Sequence, residues 1–210
     1  MDSISFISAR PEESEAIRKF VLDYFYAYEP TNLAYIYGKE PAAEDVEFSI
    51  KFLNHGLGVA AVNRQGTIVG ISLGYIGAVD DAAAMRDAAN RSKDEKFCDI
   101  MRFLSVVQDG ADIKGKFGVT KIYEIQMLAV HPDYRGRAIG SALTKKQIEI
   151  AKERGFEAVY ADCSSVYSAK IMERLGFECV HEIAFADYRN HRSVQIFKPV
   201  DEIHTDHAPS

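Results

Sequence analysis

The chain has 210 residues, of which 47% are hydrophobic, and a formal net charge of −6. This length and composition predict one domain over residues 1–200 with a single core, followed by a polar tail at 201–210. The negative charge disfavours nucleic-acid binding, which uses a basic face, and no apolar run is long enough for a membrane helix or signal peptide. We therefore expect a cytoplasmic protein that binds neither nucleic acid nor membrane.

The cysteines and histidines do not form a metal-binding or disulfide pattern. Cys98, Cys163 and Cys179 lack the close paired spacing of a zinc site, and their odd number argues against a disulfide framework. His204 and His207 lie in the polar tail. We predict buried, reduced thiols and no bound metal.

Apolar periodicity predicts helices and strands in alternation along the first part of the chain. A strand at 4–8 precedes an amphipathic helix that we expect to end near Glu29 and Pro30, because the residue before proline disfavours helix. A second helix follows at about 43–53. The segments GVAAVN and TIVGISLGYIG, joined by a turn at 64–66, predict an antiparallel hairpin.

The second part of the chain continues the alternation. Residues 80–107 have apolar residues at helical spacing, and the glycines of 108–118 predict a loop. The order of elements predicts a single layered α/β domain. The remaining predicted elements are a strand at 119–130, a turn at 131–137, a helix at 139–154, a strand at 157–162, a helix at 165–175, and strands at 179–188 and 194–198.

The segment VHPDYRGRAIGSAL joins a hydrophobic strand to a helix through a turn that contains Arg135, Gly136 and Gly140. Unpaired backbone N–H groups and the positive end of the helix meet in such a turn, which suits a pyrophosphate. Arg135 and Arg137 can add charge-assisted contacts, and Ser141 can add a hydroxyl. Ordinary glycine-containing turns show the same pattern, so the context decides.

This turn resembles the acetyl-CoA signature of the GNAT acetyltransferase superfamily, Arg/Gln-x-x-Gly-x-Gly/Ala, with Arg135 first and Gly140 last. Ala138 stands where the pattern usually has glycine. The later segment AKIMERLGF resembles the second hallmark, a helix that ends in Leu-Gly-Phe beside the coenzyme arm. The resemblance covers nearly the whole chain. It implies the GNAT fold, an α/β fold with a mixed central sheet of about seven strands and helices on both faces.

The same resemblance implies acetyl-CoA as co-substrate. A backbone N–H around 127–129 is expected to hold the oxyanion of the reaction, and the same strand is expected to bind the pantetheine arm. The implied coenzyme contacts are Met127, Leu128, Ala129, Val130, Arg135, Gly136, Arg137, Ala138, Ile139, Gly140, Ser141 and Ser165.

The strings AYEPTN, CSSVYSAKIMERLGF and FADYR are similar to the insect arylalkylamine N-acetyltransferases. In that group a glutamate of Glu-Pro-x-Asn is the base and two serines four apart complete the site, positions that fall on Glu29, Ser164 and Ser168. Glu29 would accept the ammonium proton, Ser164 would act in the relay and Ser168 would protonate the thiolate. Many GNAT relatives use a tyrosine acid, but Met172 stands at that position and cannot donate a proton.

Each of these residues also has a purely structural interpretation. Glu29 could simply end the first helix. The C-terminal end of a helix is electrostatically unfavourable for a carboxylate, and this favours a functional role for Glu29. Ser164 next to a helix start fits an N-cap, although two serines four apart can share a helix face. Tyr24, Phe25 and Tyr28 are typical of core packing, and they are also candidates to line the amine pocket.

The first hypothesis is therefore acetyl transfer to an arylalkylamine such as dopamine, octopamine, serotonin or tryptamine through a ternary complex. Monomer is the default state, with a dimer left open. One alternative keeps the chemistry and changes the acceptor to a polyamine, histamine or another aliphatic amine. Another is a non-catalytic acetyl-CoA-binding module, on account of Ala138 and Met172. Protein N-acetylation is a further alternative, which the insertion at 76–119 disfavours because it would cover a small-molecule pocket.

Overall fold

The computed structural model describes residues 3–77 and 81–199, and the predicted tail at 201–210 lies outside them. Five strands form the central sheet of the described chain: β1 (Ser5–Ala9), β2 (Gly58–Val62), β3 (Ile68–Ile76), β4 (Ile122–Val130) and β5 (Ala158–Tyr160). They lie in the order β1-β2-β3-β4-β5. The first four are antiparallel neighbours, and β4 and β5 are parallel.

Helices cover both faces of this sheet, which confirms the predicted α/β fold. Leu143 and Met172 are buried on one face, whereas Ile17 and Ile50 are buried with the opposite face. Burial of these apolar surfaces is the main stabilising contribution. No helix in the described part of the chain is long and apolar enough to cross a bilayer. The described helices are α1 (Ser14–Val21), α2 (Pro30–Ala34), α3 (Ala43–Ile50), α4 (Asp81–Arg91), α5 (Glu95–Ala111), α6 (Ile113–Phe117), α7 (Ile139–Glu153) and α8 (Val166–Arg174).

The late strands predicted at 179–188 and 194–198 do not form in the described residues, so the prediction of about seven strands is wrong. Phe197 makes only an isolated antiparallel bridge with Tyr35, next to α2. The aromatic side chains of the late segment pack instead into a cluster with Phe103 of α5. Aromatic residues favour strands in general. Here their burial against helices prevents a regular ladder with the sheet.

The segment between β3 and β4 is more helical than predicted. The helix expected at 80–107 is two helices, because the Asp94 side chain caps α5 by accepting a hydrogen bond from a backbone N–H. The loop expected at 108–118 is wrong, since α5 continues through Gly110 and α6 follows. A Cβ at Gly110 would lie 2.3 Å from Nε2 of His181. The glycine therefore permits close packing and does not break the helix.

The N-terminal helix ends earlier than predicted. α1 continues as a π-helical stretch, Leu22–Tyr26, and the chain then turns. Pro30 begins α2 and does not simply stop the preceding helix. Proline suits the first turn of a helix because its missing N–H would have no partner there. This geometry places Glu29 at the N-cap of α2.

Candidate active site

The strands β4 and β5 diverge after a short parallel pairing. Their register ends where Glu124 faces Tyr160, whereas β4 continues to Val130. Beyond Glu124 the edge of β4 on this side has no ladder partner among the described residues. Its backbone N–H and C=O groups are therefore available to an extended ligand, which can bind as an added strand does.

The predicted coenzyme residues of β4 lie on this open edge. The side chains of Met127 and Ala129 are buried in the cluster that contains residues of α1. Leu128 and Val130 are half-buried in the cluster beside α7. Because all four side chains are apolar and packed, polar contacts from this part of the strand come from its main chain.

The turn between β4 and α7 exposes backbone N–H groups, and we call residues 134–141 the diphosphate cradle. Gly136 and Ala138 adopt left-handed conformations with φ of 74° and 59°. The first backbone hydrogen bond of α7 runs from Ala142 N to Ala138 O at 3.0 Å. No side chain caps this helix, and the N–H groups of residues 136–141 have no partner among the described residues, whereas those of Tyr134 and Arg135 donate within the turn. These unpaired donors at a positive helix end fit a coenzyme diphosphate.

Ala138 is the residue that departs from the family pattern, and its backbone explains the usual glycine. Left-handed backbone costs a residue with a Cβ roughly 1–2 kcal/mol. Ala138 is exposed, so its methyl group is tolerated sterically. The turn keeps its conformation at the cost of local strain.

Gly140 brings the two family hallmarks into contact. A Cβ at Gly140 would lie 3.0 Å from Cδ1 of Ile171 in α8 and 3.9 Å from Cγ2 of Val130 in β4. Because the first turn of α7 is this close to both elements, a glycine permits their packing. The cradle, the open strand edge and α8 therefore form one continuous site.

Two arginines supply positive charge at the cradle. Arg135 Nε donates to Val130 O at 3.2 Å, and its guanidinium carbon lies 4.4 Å from the centre of the Tyr28 ring. Arg137 donates to Asp133 O at 2.9 Å. The ion pairs within the described residues include neither arginine. Both guanidinium groups are available to neutralise a diphosphate.

Glu29 is the N-cap of α2, and the expectation that it ends the first helix is wrong. Its Oε1 accepts a hydrogen bond from Thr31 N at 2.9 Å, and Oε2 accepts one from Asn32 N at 2.6 Å. A carboxylate is favourable at this end of a helix. The contact between Tyr28 and Arg135 holds the neighbouring backbone beside the cradle.

A second carboxyl group, Asp45 of α3, lies near Glu29, and sequence reasoning missed it. Burial and then the charge of Glu29 raise the pKa of Asp45 to about 7, against opposing contributions from Tyr26 and Lys96. Burial and then the charge of Asp45 also raise the pKa of Tyr26. Asp45 therefore changes its charge near neutral pH within the electrostatic range of the predicted base.

The serines at the start of α8 have different environments. Ser165 is the N-cap, and its Oγ lies 3.0 Å from Ser168 N and 2.9 Å from Ser168 Oγ. Ser168 Oγ also donates to Ser165 O at 2.9 Å. Partial burial of the sulfur raises the pKa of Cys163, and a hydrogen bond with Ser168 opposes this rise. Ser164 is exposed and precedes the cap, so it lies outside α8 and does not share a face of that helix with Ser168.

Met172, which stands where many relatives have a tyrosine acid, is a core residue. It is 5% exposed and packs in the cluster that contains Tyr123 and Ile125. This position therefore contributes to packing between α8 and the sheet.

The three aromatic residues predicted to bind substrate separate into two groups. Tyr24 and Phe25 pack against the core, with their rings 4.4 Å from His131 and 5.2 Å from Tyr26 respectively. Tyr28 lines a cavity of about 890 Å³, so this residue has open space beside it.

A buried pair of carboxyl groups lies where β4 and β5 diverge. Tyr75 donates to Glu124 Oε2 at 2.7 Å, Tyr160 donates to Asp162, and Gln108 Nε2 contacts both carboxyl groups at 3.4 and 3.3 Å. Burial and then the charge of Asp162 raise the pKa of Glu124. Burial also raises the pKa of Asp162, to about 6. The glutamate within the apolar run IYEIQMLAV was the sequence signal for this pair.

The prediction that all three thiols are buried is wrong. Cys98 is half-buried, and Cys163 and Cys179 are exposed. Within residues 3–77 and 81–199, no cluster of three or more His, Cys, Asp or Glu side chains is suited to hold a metal ion.

Comparison with known proteins agrees with the geometry. Residues 17–177 match the model of the acetyltransferase (GNAT) family. The crystal structure of a mosquito arylalkylamine N-acetyltransferase like 5b has a TM-score of 0.92 and 33% sequence identity, and the match covers 95% of this chain and 94% of that chain. A Drosophila melanogaster polyamine N-acetyltransferase that forms N-acetylagmatine has a TM-score of 0.88 and 27% identity, over 94% of this chain and 93% of that chain.

A sequence relative is an uncharacterised N-acetyltransferase of Methanocaldococcus jannaschii, 42% identical over 60 residues or 28% of this chain. The match spans only 26% of that curated relative's length. The predicted resemblance to the insect enzymes is confirmed by the mosquito structure. Since the family match covers most of the chain, the protein belongs to the acetyltransferase (GNAT) family.

Proposed function

We propose that this chain transfers the acetyl group of acetyl-CoA to the primary amine of a small arylalkylamine of the dopamine, octopamine, serotonin or tryptamine type. Family membership and two insect N-acetyltransferase neighbours support acetyl transfer to an amine. The observation that carries the proposal is the stacking of Arg135 on Tyr28 at 4.4 Å. This contact brings the segment that bears Glu29 next to the diphosphate cradle. The proposed setting is the cytoplasm, with the protein acting as a monomer.

Glu29 is the proposed base. An amine is mainly an ammonium ion at neutral pH, and it must lose a proton before its lone pair attacks a thioester. Each oxygen of Glu29 accepts one backbone hydrogen bond, which fixes the orientation of the carboxylate. A carboxylate has about four acceptor sites, so lone pairs remain for the amine proton, directly or through one water.

The open edge of β4 is the proposed oxyanion site. Acetyl-CoA supplies the thioester when it is bound. A backbone N–H at 127–129 then donates to the carbonyl oxygen as negative charge develops during direct attack in a ternary complex. The N–C bond forms and the C–S bond breaks. The nitrogen releases a second proton as the amide forms, and this proton replaces the one that the chain gives to the sulfur.

The serines are the proposed source of that proton. The Ser168 hydroxyl is bonded to the carbonyl of Ser165, whereas Ser164 is exposed ahead of the helix. This geometry favours Ser164 as the donor to the thiolate and Ser168 as the residue that orders the cap. This proposal differs from the assignment predicted from sequence, in which Ser164 acts in the relay and Ser168 protonates the thiolate.

An aliphatic polyamine or histamine is the second candidate acceptor. The Drosophila neighbour is a polyamine N-acetyltransferase, and its match covers nearly the whole chain. Turnover across a panel of arylalkylamines, polyamines and histamine separates the two candidates. A chain that binds coenzyme and acetylates no amine would instead be the non-catalytic module.

Thiol release from acetyl-CoA tests the base directly. We compare Glu29→Gln with Glu44→Gln, an exposed control in α3. The amide in Glu29→Gln keeps one oxygen that accepts a backbone hydrogen bond, and it does not accept a proton as a base. We expect kcat/KM to fall about 100-fold or more in Glu29→Gln and to stay at the native value in Glu44→Gln. Native turnover in a folded Glu29→Gln protein would contradict the assignment of Glu29.

A further inference from the structure

A small cavity of about 250 Å³ lies at the end of α2 opposite to Glu29. Glu29 is the N-cap of this helix and Tyr35 is its C-cap. Six residues at a rise of 1.5 Å each separate them by roughly 9 Å. The polar and charged side chains in the wall of the cavity are Tyr35, Tyr37, Glu95, Asp99, Asn190 and Arg192.

Asp99 is a buried acidic group that borders this cavity. It is 5% exposed, and its oxygens accept hydrogen bonds from Tyr35 Oη at 3.1 Å and Asn190 Nδ2 at 3.3 Å. Burial and then the charge of Asp99 raise the pKa of Tyr35, so the phenol keeps the proton that it donates. Both donors are neutral, and the ion pairs of the described residues do not include Asp99. Asp99 is therefore hydrogen-bonded by neutral groups alone, and its negative charge at the wall of the cavity favours a cationic ligand there.

The rest of the wall suits an organic cation. The rings of Tyr35 and Tyr37 lie 5.5 Å apart at 71°, so they present two differently oriented aromatic surfaces. Glu95 adds a second carboxylate at the rim, where Arg192 approaches it at 3.7 Å. Lys96 Nζ lies 5.3 Å from the centre of the Tyr35 ring, but it donates to two backbone carbonyls outside the cavity. Aromatic rings with carboxylates form a favourable site for ammonium or guanidinium.

We propose that this cavity is a subsite for the second cationic group of a dicationic amine acceptor. The inference rests on the proposed acetyl transfer and on its second candidate acceptor, a polyamine, since the reacting amine must lie near Glu29 at the other end of α2. Asp99 and the two tyrosines then hold the distant ammonium or guanidinium. The subsite favours a diamine over a monoamine of the same length.

The test compares 1,8-diaminooctane with n-octylamine, which has the same chain and lacks the second cation. The wild-type protein is expected to show a KM about ten-fold lower for the diamine, because a hydrogen-bonded charge is added. Asp99→Asn is expected to remove this difference, with little change in kcat or in the KM for octylamine. Asp87→Asn, an exposed substitution in α4, is the matched control and is expected to keep the preference.

Two further variants keep the proposal falsifiable if Asp99→Asn does not fold. Glu95→Gln and Tyr37→Leu change exposed side chains at the rim, and each is expected to raise the KM for the diamine selectively. Equal KM values for both amines in the wild-type protein would overturn the subsite. An equal loss for both amines in all folded variants would also overturn it, because that result indicates a structural role.

Calorimetry separates the subsite from the proposed function. If the protein acetylates no amine, the proposed function fails, and titration with 1,8-diaminooctane still tests the subsite. Weaker diamine binding to Asp99→Asn, or to Glu95→Gln where that variant must stand in, supports the cavity as a cation site. Unchanged binding would overturn it.

Discussion

The substitution Ala138→Gly tests the physical account of the diphosphate cradle. Ala138 has φ of 59°, where a Cβ costs roughly 1–2 kcal/mol. Glycine removes this strain, but glycine also loses more backbone entropy on folding than alanine does, and this loss offsets about 0.5–1 kcal/mol of the gain in stability. The net stabilisation is about 0.5–1 kcal/mol, which raises Tm by ~1–4 °C for a chain of this length. Differential scanning calorimetry measures the shift, and the affinity for acetyl-CoA is expected not to weaken.

Gly136→Ala is the matched reverse substitution in the same turn. Gly136 has φ of 74°, and no heavy atom lies within 4 Å of a Cβ built there. Any destabilisation therefore comes from the backbone alone, and we expect a loss of about 0.5–1 kcal/mol. A lower Tm for Ala138→Gly, or a higher Tm for Gly136→Ala, would refute the reasoning about strain in the turn.

Three further substitutions test the core and the buried acids. Gly74→Ala places a Cβ 2.4 Å from the Tyr123 hydroxyl, so urea denaturation should show a loss of about 1–3 kcal/mol, and native stability would contradict this packing. The pKa of Glu124 lies above its unfolded value of 4.5, so the wild-type protein loses stability as this group gives up its proton with rising pH. The free energy of unfolding of Glu124→Gln, measured in urea relative to the wild-type protein, should therefore be higher at pH 8 than at pH 5. The same pH dependence in both proteins would contradict this. Asp45 has an unfolded pKa of 3.8 and a folded pKa of about 7, so the wild-type protein loses stability as pH rises through that range. In thermal melts, Tm should fall less steeply with pH for Asp45→Asn than for the wild-type protein, and an equal slope would contradict this.

The cradle was predictable because its determinants are local in sequence. Arg135, Gly136 and Gly140 lie in one turn between a hydrophobic strand and an amphipathic helix. The strand, the left-handed turn and the helix N-terminus each have a short-range signal. The apolar periodicity also predicted the five observed strands and the helices that cover both faces of the sheet.

The placement of Glu29 was less predictable because Pro30 has two meanings. Proline disfavours helix at the residue before it, and it also favours the first position of a new helix. The sequence therefore indicated a boundary at Glu29 and left its direction undetermined. The capping geometry, with bonds from Thr31 N and Asn32 N, settles that direction in the structure.

The buried acids and the late aromatic segment depend on contacts that are distant in sequence. Tyr35 and Asp99 are 64 residues apart, yet their side chains share a hydrogen bond. Phe197 belongs to a residue type that favours strands, but Phe103 of α5 contacts its ring at 4.8 Å and the segment packs as part of a helical core. Local periodicity carries no information about either pairing.

A crystal structure of the protein with acetyl-CoA tests the central claim most directly. The account predicts diphosphate oxygens within about 2.7–3.2 Å of backbone N–H groups at 136–141. It also predicts that the acetyl group lies along the open edge of β4 with its carbonyl carbon facing Glu29. A diphosphate bound outside the cradle, or a thioester beyond the reach of an amine held by Glu29, would contradict it.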